Sequence, residues 1–267
     1  MMSSIGPVPL GVVWVLVGWL VALGVARWLR PPVQPGQPTP AALLLDMLLL
    51  GLLGGRVGFV IAHASLYLAD PWAVLRVSDG GFLAWVAVLV GAAWAAWRLR
   101  RWPTLRRPVW AGALTGVVLW TGLSLGTAQL QQARIGLPAL SLPSLQGTPQ
   151  TLAGEGGTPV VVNLWASWCG PCRREMPIFA QAQQRTPQVR FVFVNQGEER
   201  AEVQQFLSRE RLSLHNVLLD ADSSTSARLQ VHAYPTTLFF DSRGRLQGLH
   251  LGELSAAGLQ ARLDALR

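Results

Sequence analysis

Long apolar runs fill the first half of the chain, at residues 10–28, 41–62, 80–97 and 108–130. Each run approaches the ~20 residues that a helix needs to cross the hydrocarbon core of a bilayer. The segments between them suit loops, since residues 31–40 contain five prolines and residues 98–107 contain five arginines. We therefore expect a four-helix transmembrane domain over residues 1–134.

Positive charge is concentrated in this apolar half. It holds ten arginines against three aspartates, a net charge of +7, whereas residues 135–267 are nearly neutral and the whole chain carries +8. Basic residues that accompany apolar helices indicate membrane topology and not a nucleic-acid surface. Because cytoplasmic loops collect arginine, the loops after the first and third runs are expected inside. The N-terminus and residues 135–267 would then face the periplasm, in a multi-pass protein of the bacterial inner (cytoplasmic) membrane.

Two charged residues, Asp46 and Arg56, lie inside the second run. Ten positions correspond to about 15 Å along a helix, so the two side chains do not pair directly. Charges within the membrane are costly, and they raise the hypothesis of a functional site. Two interpretations stay open: a site for lipid or partner head groups, or helix-packing polarity with Arg56 reaching toward the outer surface.

Residues 54–81 read GGRVGFVIAHASLYLADPWAVLRVSDGG. This stretch resembles the corresponding segment of prolipoprotein diacylglyceryl transferases, in which a GGR-G-aromatic stretch, a D-P pair and a D-G-G turn occur in the same order. It departs from that family directly afterwards, because residues 82–87 read FLAWVA where the family has a histidine in an H-G-G motif. His63 is either a substitute base or an interfacial histidine. We expect the fold to be partly kept and the transfer chemistry to be lost.

From residue 135 onward, strands alternate with helices. A continuous apolar run at 159–166 predicts a central strand that is buried on both faces. Further strands are predicted at 191–195 and 236–241, followed by an edge strand and a closing amphipathic helix. This alternation predicts an α/β domain over residues 135–267, with a central mixed sheet flanked by helices.

The central strand leads into WCGPC, which contains the chain's two cysteines, Cys169 and Cys172. A helix N-terminus stabilises a thiolate, so Cys169 is the expected nucleophile. Cys172, in the first turn, would attack the mixed disulfide and release reduced product. Gly170 and Pro171 allow and constrain the tight turn. A zinc site would need two more ligands, and the four histidines offer no second close-spaced pair, so we expect no metal and no other cofactor.

These segments, together with FVFVNQGE and the stretch from LDADSS to RGRL, are similar to TlpA/ResA-type thioredoxins. That family consists of membrane-tethered disulfide reductases that face the periplasm. The resemblance implies that Pro235 is a cis-proline opposite the active site and that the Tyr234 backbone pairs with the substrate. From the residues alone, Pro235 is also readable as an ordinary strand-entry proline.

Glu175 falls at the acidic position of this family, one helical turn past Cys172. The resemblance implies a partly buried carboxyl that takes the proton of the resolving thiol, and the alternative is a solvated glutamate in the first turn. Asn163 stands where cytosolic thioredoxin has a buried aspartate, which shifts the proton-handling role to Glu175.

Aromatic and basic residues flank the motif. Trp165 and Trp168 are expected to pack beneath and beside the loop. Trp168 is also expected to bind substrate, together with Gly170, Pro171 and Tyr234. For Arg173 and Arg174 we expect a solvated helix face; the alternatives are that they slightly lower the thiol pKa values or meet an acidic partner.

The sequence therefore predicts a membrane-anchored thiol-disulfide oxidoreductase that reduces disulfides of exported proteins, with apocytochrome c or a copper-site protein as clients implied by the resemblance. Three alternatives stay open: a disulfide oxidase or isomerase, a diacylglyceryl transferase with an accessory thioredoxin domain, and a non-catalytic holdase. Because both cysteines lie in the motif, the membrane half has no thiol to carry electrons. A separate membrane donor of the DsbD/CcdA type is expected, besides the lipid bilayer itself, and no nucleic acid.

Overall fold

The computed structural model describes residues 4–5, 8–32, 36–69, 71–75, 80–134, 136–153 and 157–266. These residues form two compact units, a helical unit of Ser4–Val74 with Gly80–Thr127 and an α/β unit that begins at Ala128. The predicted fold class is confirmed, because apolar helices are followed by an α/β domain with a mixed sheet.

The helical unit opens with a small antiparallel pair, β1 (Ser4–Ile5) and β2 (Val8–Pro9). Its helices are α1 (Leu10–Trp28), α2 (Pro40–Ala62), α3 (Ala64–Ala69), α4 (Ala84–Arg98) and α5 (Arg106–Arg134). Single 3-10 turns lie at Pro71–Leu75 and Pro103–Leu105. Three of the described helical segments are long and apolar enough to cross a membrane: Leu10–Trp28, Pro40–Ala62 and Pro103–Leu130.

The third apolar run is shorter as a helix than the sequence predicts. We expected residues 80–97, but α4 begins at Ala84 and its 15 residues span about 22 Å. The residues before Ala84 are not helical: Gly80 has a positive φ of 71°, Gly81 lies against Arg56, and Leu83 has extended backbone angles. A Cβ atom on Gly81 would be 2.6 Å from Nη1 of Arg56 and 2.6 Å from a ring carbon of Phe59, so a larger residue there would displace buried side chains.

Small residues bring the membrane helices into backbone contact. A Cβ atom added to Gly51 of α2 would lie 2.7 Å from the carbonyl oxygen of Ala87 in α4. Between α1 and α5, a Cβ on Gly116 would lie 2.7 Å from the carbonyl oxygen of Gly18. Close approach of this kind is how membrane helices gain packing energy without a hydrophobic driving force.

The α/β unit contains a β3–β4 hairpin (Ser141–Pro143 and Pro149–Thr151) and a five-stranded sheet. The elements that follow the hairpin are β5 (Val160–Trp165), α6 (Gly170–Arg185), β6 (Arg190–Gln196), α7 (Arg200–Arg209), β7 (Val217–Asp220), α8 (Ser224–Arg228), β8 (Thr236–Phe240), β9 (Leu246–Leu251) and α9 (Ala256–Asp264). The strand order is β7-β6-β5-β8-β9, with β5, β6 and β7 parallel and with β8 antiparallel to both β5 and β9.

Strand β5 is central and fully buried, as its continuous apolar sequence predicts. Its alternate side chains enter two cores. Val161 and Trp165 join residues of α6, α7 and α9 on one face, and Val160, Val162 and Leu164 join the β3–β4 hairpin and the segment after α8 on the other. Strand β9 lies at a sheet edge, where the sequence placed it. The opposite edge strand β7 and the short helix α8 were not predicted.

Candidate active site

The two cysteines lie where β5 passes into α6. Cys169 is the N-cap residue of α6, with extended backbone angles (φ −81°, ψ 107°), and its Sγ accepts a hydrogen bond from the Cys172 backbone N–H at 3.3 Å. A sulfur atom in this position faces the partial positive charge of the helix N-terminus, which favours a thiolate. The two cysteines are joined in a disulfide, so the structure represents the oxidised chain.

The two cysteines differ in their access to solvent. Cys169 keeps 6% of its surface exposed, whereas Cys172 is completely buried. Thiol–disulfide exchange requires direct contact between the attacking and attacked sulfur atoms. Only Cys169 is placed to meet a sulfur atom of another protein.

The two tryptophans beside the motif lie in opposite environments. Trp165 is fully buried, and its ring lies 5.4 Å from the ring of Phe206, as expected for packing beneath the loop. Trp168 is 69% exposed, and its ring meets Tyr234 edge-on at 6.3 Å. Trp168 therefore packs beside the loop only along one edge, against Tyr234. Most of its ring is exposed to solvent.

The segment before β8 carries the proline singled out by the resemblance. The Tyr234–Pro235 peptide bond is cis, the conformation that the resemblance implies. The Tyr234 hydroxyl lies 2.8 Å from Ser226 Oγ, which in turn donates to Gln196 Oε1 at 2.5 Å. These contacts hold the Tyr234 ring in place opposite Trp168.

Glu175 lies one turn past Cys172 on α6 and is completely buried, more deeply than the partly buried carboxyl that the sequence suggested. Its Oε1 accepts a hydrogen bond from Asn163 Nδ2 at 2.8 Å, and its Oε2 accepts one from the Leu254 backbone N–H at 3.0 Å. Burial raises the pKa of Glu175 to about 8, with a smaller upward contribution from the charge of Glu253, while the two hydrogen bonds oppose the rise. A carboxyl with a pKa near that of a thiol is well matched to exchange a proton with one.

Asn163 connects Glu175 to the sheet. Its Nδ2 also donates to Thr237 Oγ1 at 3.0 Å, so one amide bridges β5, α6 and β8. Among the described residues its Oδ1 has no hydrogen-bond partner. A protonated Glu175 carries a hydroxyl donor, which Oδ1 would accept after rotation of the amide group.

Sequence reasoning missed a second buried carboxylate near the motif, Glu198. Its Oε2 accepts hydrogen bonds from the Ser167 backbone N–H and from Asn195 Nδ2, each at 2.6 Å, and its Oε1 accepts one from Ser167 Oγ. These bonds fix the loop that carries Trp168 and Cys169. In the sequence, Glu198 opens the charged stretch EER and reads as a solvated helix start, so its pattern gave no signal of burial.

Arg56 in the helical unit is buried among protein groups. Its guanidinium donates hydrogen bonds of 3.0 Å to the carbonyl oxygens of Ala73, Val74 and Gly81. It also lies 5.8 Å from the ring centroid of Phe82. Arg56 therefore ties the segments that follow α2 and precede α4 to the body of α2.

The position at which the resemblance calls for a histidine carries no proton acceptor. Phe82 faces Arg56, and Trp85 lies on α4 with 65% of its surface exposed. His63 ends α2, where its Nδ1 lies 3.1 Å from the Phe59 carbonyl oxygen and its ring stacks on Phe59 at 4.3 Å. Asp46 is half-buried in α2. Asp70 and Asp79 of the D-P and D-G-G elements fall outside the described residues.

Potential metal ligands do not cluster in the described ranges: no three His, Cys, Asp or Glu side chains there are grouped as a metal site would require. His250, for example, is engaged by protein groups, since its Nδ1 lies 3.2 Å from Arg262 Nη2 and its Nε2 lies 3.3 Å from the Glu253 carbonyl oxygen.

Two family models match different halves of the chain. The Redoxin model matches residues 132–263, and the prolipoprotein diacylglyceryl transferase model matches residues 8–127. The thioredoxin-like protein YneN of Bacillus subtilis is 32% identical over 141 residues, which are 52% of this chain and 81% of YneN. The chain belongs to the thioredoxin-like thiol-disulfide oxidoreductases. Its N-terminal half is a region similar to prolipoprotein diacylglyceryl transferase, as its sequence predicted.

Other thioredoxin-like oxidoreductases match over the same half. The thiol-disulfide oxidoreductase ResA of Geobacillus kaustophilus is 26% identical over 132 residues, which are 49% of this chain and 75% of ResA. The chain is also similar to a solved structure of a secreted Mycobacterium tuberculosis disulfide oxidoreductase homologous to E. coli DsbE, with 28% identity and a TM-score of 0.45. This match covers 48% of this chain and 96% of the Mycobacterium tuberculosis chain. The prediction of a protein thiol-disulfide oxidoreductase is confirmed at this level, for a protein with apolar, membrane-type helices.

Proposed function

We propose that this protein reduces disulfides of exported proteins, with Cys169 as the nucleophile and Cys172 as the resolving thiol. The observation that carries the proposal is the asymmetry of the pair: Cys169 caps α6 at the surface, and Cys172 is buried behind it next to the turn that carries Glu175. An attacking group needs access and a stabilised thiolate, whereas a resolving group needs only to reach the first sulfur.

The reaction passes two electrons from the enzyme to its client. The Cys169 thiolate attacks one sulfur of the client disulfide, the client S–S bond breaks, and the other client sulfur leaves as a thiolate. The Cys172 thiolate then attacks Cys169 Sγ, which releases the second client thiol and forms the Cys169–Cys172 disulfide. The oxidised pair in the structure is the product of this half-reaction.

Glu175 is proposed as the base for the second step. Its pKa of about 8 lies close to the usual thiol value, so a proton moves from Cys172 to Glu175 with little free-energy cost. Because Cys172 and Glu175 are both fully buried, no bulk water competes for that proton.

Five residues are proposed to hold the client around Cys169. The exposed ring of Trp168 supplies apolar contact area, and Gly170 and Pro171 keep the helix start free of bulky side chains. The segment at Tyr234 and cis-Pro235 offers backbone groups for pairing with an extended client strand.

The direction of electron flow is tested by the reduction potential of the full chain in detergent. A value near the roughly −270 mV of thioredoxin supports a reductase, and a value near the roughly −120 mV of DsbA would instead indicate an oxidase. Clients captured in mixed disulfides identify the substrate class. Apocytochrome c among them would support a role in cytochrome c maturation.

The oxidised pair must be reduced again from outside this chain. Both cysteines are used in the motif, so the helical unit has no thiol to relay electrons. We propose a membrane donor of the DsbD/CcdA type. Reduction of the protein in native membranes, and its absence in membranes that lack such a donor, tests the assignment.

We propose a multi-pass protein of the inner membrane, with domains over residues 1–134 and 135–267. Four helix ends meet at one end of the helical unit: the end of α1, the start of α2, the end of α4 and the start of α5 pack into one core. Arg27 and Arg30 therefore share this end with the five arginines of residues 98–107. Two basic loops at one end give a single consistent orientation, with the α/β unit in the periplasm.

A further inference from the structure

Two neighbouring arginines on α6, Arg173 and Arg174, form ion pairs with different parts of the α/β unit. Arg174 binds Glu253, with distances of 2.7 Å from Nη2 and 2.8 Å from Nε to Oε2. Arg173 binds Glu210 at 2.9 Å, at the end of α7. The interpretation of both residues as a solvated helix face is therefore incomplete, because each has an acidic partner within the chain.

Glu253 lies in the turn after β9, next to the residue that holds Glu175. The Leu254 backbone N–H donates to Glu175 Oε2 at 3.0 Å, so the Arg174–Glu253 pair is one residue away from a direct contact of the buried carboxyl. The Glu253 side chain is only 12% exposed, which limits screening of its charge by water.

The charges around Glu175 come from several elements. Glu253 disfavours an ionised Glu175, since two nearby negative charges repel, and Arg174 forms an ion pair with this Glu253 carboxylate. The other titratable groups on these elements are Cys172, Arg173 and Arg185 on α6, His250 on β9, and Arg262 and Asp264 on α9. The contacts from β5 and β8, through Asn163 and Thr237, are neutral.

We propose that Arg174 and Glu253 are positioning residues that control the protonation of Glu175, and thereby the pH range in which Cys172 resolves the mixed disulfide. This inference rests on the proposed role of Glu175 as the base for Cys172. Neither residue touches the client: the pair acts through the field at Glu175 and through the turn that ends in Leu254.

A purely structural role of the pair makes a different prediction from an electrostatic one. If the pair only clamped the turn, loss of either partner would loosen the Leu254 N–H bond and shift the pH profile in the same direction. If charge matters, Arg174→Gln removes a cation beside Glu253 and raises the pKa of Glu175. Glu253→Gln removes the repulsion and leaves a cation nearby, which lowers that pKa.

The experiment compares three variants of the full chain in detergent: Arg174→Gln, Glu253→Gln and the matched control Arg173→Gln. Single-turnover release of thiol from a fluorogenic peptide disulfide is measured against pH. We expect the apparent pKa to rise by about 0.5 to 1 unit in Arg174→Gln and to fall by a similar amount in Glu253→Gln, as the loss of one partly screened charge near a buried carboxyl produces. Arg173→Gln should leave the profile unchanged. Shifts in the same direction, or an equal shift in the control, would overturn the proposal.

A second measurement separates this inference from the proposed function. The carboxylic C=O infrared band of Glu175, assigned by its loss in Glu175→Gln, is titrated in the oxidised protein, which needs no turnover. The measured quantity is the pH at which half of the band is lost. Opposite shifts of this midpoint in Arg174→Gln and Glu253→Gln support the pair as a control on Glu175, even if resolution proves independent of Glu175. An unchanged midpoint in both variants would overturn the inference and leave the reductase proposal intact.

Discussion

The carboxyl group of Glu175 is completely buried and accepts two hydrogen bonds, from the Asn163 side chain and the Leu254 backbone. Burial raises its pKa from 4.5 to about 8, so the folded chain keeps this proton over a pH range in which the unfolded chain has lost it. Between about pH 4.5 and 8 the folded state binds more protons. Stability therefore falls as pH rises through that window and is fully present below it.

Glu175→Gln should remove this loss of stability, because an amide stays neutral at every pH. We expect the variant to be more stable than the native chain by up to roughly 3 kcal/mol at pH 7 and to differ little at pH 4. Thermal unfolding of the oxidised protein, followed at several pH values, measures the difference. If the stability difference between the variant and the native chain were equal at pH 4 and pH 8, the charge of Glu175 would not be its source.

The same substitution should slow turnover. Without the carboxylate, Cys172 must lose its proton to water, so resolution should be on the order of 10²-fold slower at pH 7 and its apparent pKa should rise toward that of a free thiol. Rapid-quench measurement of the mixed disulfide against pH tests this. An unchanged pH–rate profile would reduce Glu175 to a structural residue.

The two cysteines should behave differently when each is replaced by serine. Cys172→Ser keeps the exposed nucleophile and should accumulate mixed disulfides with exported clients, whereas Cys169→Ser should trap none, since Cys172 has no exposed surface. Non-reducing gels of cell extracts, with the native chain as control, provide the measurement. The reverse pattern would exchange the two roles.

Residues contiguous with the motif were identifiable from sequence, whereas their distant partners were not. Cys169, Cys172 and Glu175 follow one another along a helix start, and helical spacing alone predicts that they are close. Leu254 is 79 positions from Glu175 and contributes a backbone N–H, which carries no sequence signal. Which donors reach a buried carboxyl is decided by how strands and helices pack in three dimensions.

Among the elements, the buried strands were the easiest to predict. Strand β5 is apolar at nearly every position because both of its faces are covered. Strand β7 is also fully buried but has only four residues, VLLD, which is too short to establish a period. The start of α4 was misplaced because residues 80–83 are apolar, yet Gly80 has a positive φ and Gly81 contacts Arg56, and neither feature belongs to a helix.

Contact between α2 and α4 depends on the absence of a side chain at Gly51. Gly51→Ala places a Cβ atom 2.7 Å from the Ala87 carbonyl oxygen, so we expect a loss of about 1–3 kcal/mol as the helices are forced apart. Gly24→Ala on α1 is the matched control, because nothing lies within 4 Å of its added Cβ. The control should be neutral or slightly stabilising through helix propensity. Thermal unfolding in detergent, monitored by circular dichroism, compares the two, and equal midpoints would contradict the packing argument.

For the whole molecule, the orientation in the membrane is the most direct test. A reporter that is active only in the cytoplasm should be silent when inserted after Arg134 and active when inserted after Arg101, because arginine-rich loops remain inside. Activity at both positions, or only at the first, would overturn the proposed topology.

The half that resembles prolipoprotein diacylglyceryl transferase is expected to be inactive in lipid transfer. Phe82 and Trp85 occupy the region where the family carries its histidine, and neither side chain accepts a proton from a thiol. Purified protein with phosphatidylglycerol and a lipobox peptide should therefore show no transfer above background. If transfer did occur, its loss in His63→Ala would identify His63 as the base.

The hydrogen bonds of Arg56 also constrain how the chain is made. Its acceptors at Ala73, Val74 and Gly81 are later in sequence by up to 25 residues, so they do not exist when α2 first leaves the ribosome. At a protein synthesis rate of about 5–20 residues per second, the last of these acceptors is made roughly one to five seconds after Arg56. During that interval the nascent helix must bear a charge that costs up to about 3 kcal/mol to insert. The leucine-rich start of α2 supplies the apolar area that offsets this cost until the later segment is synthesised.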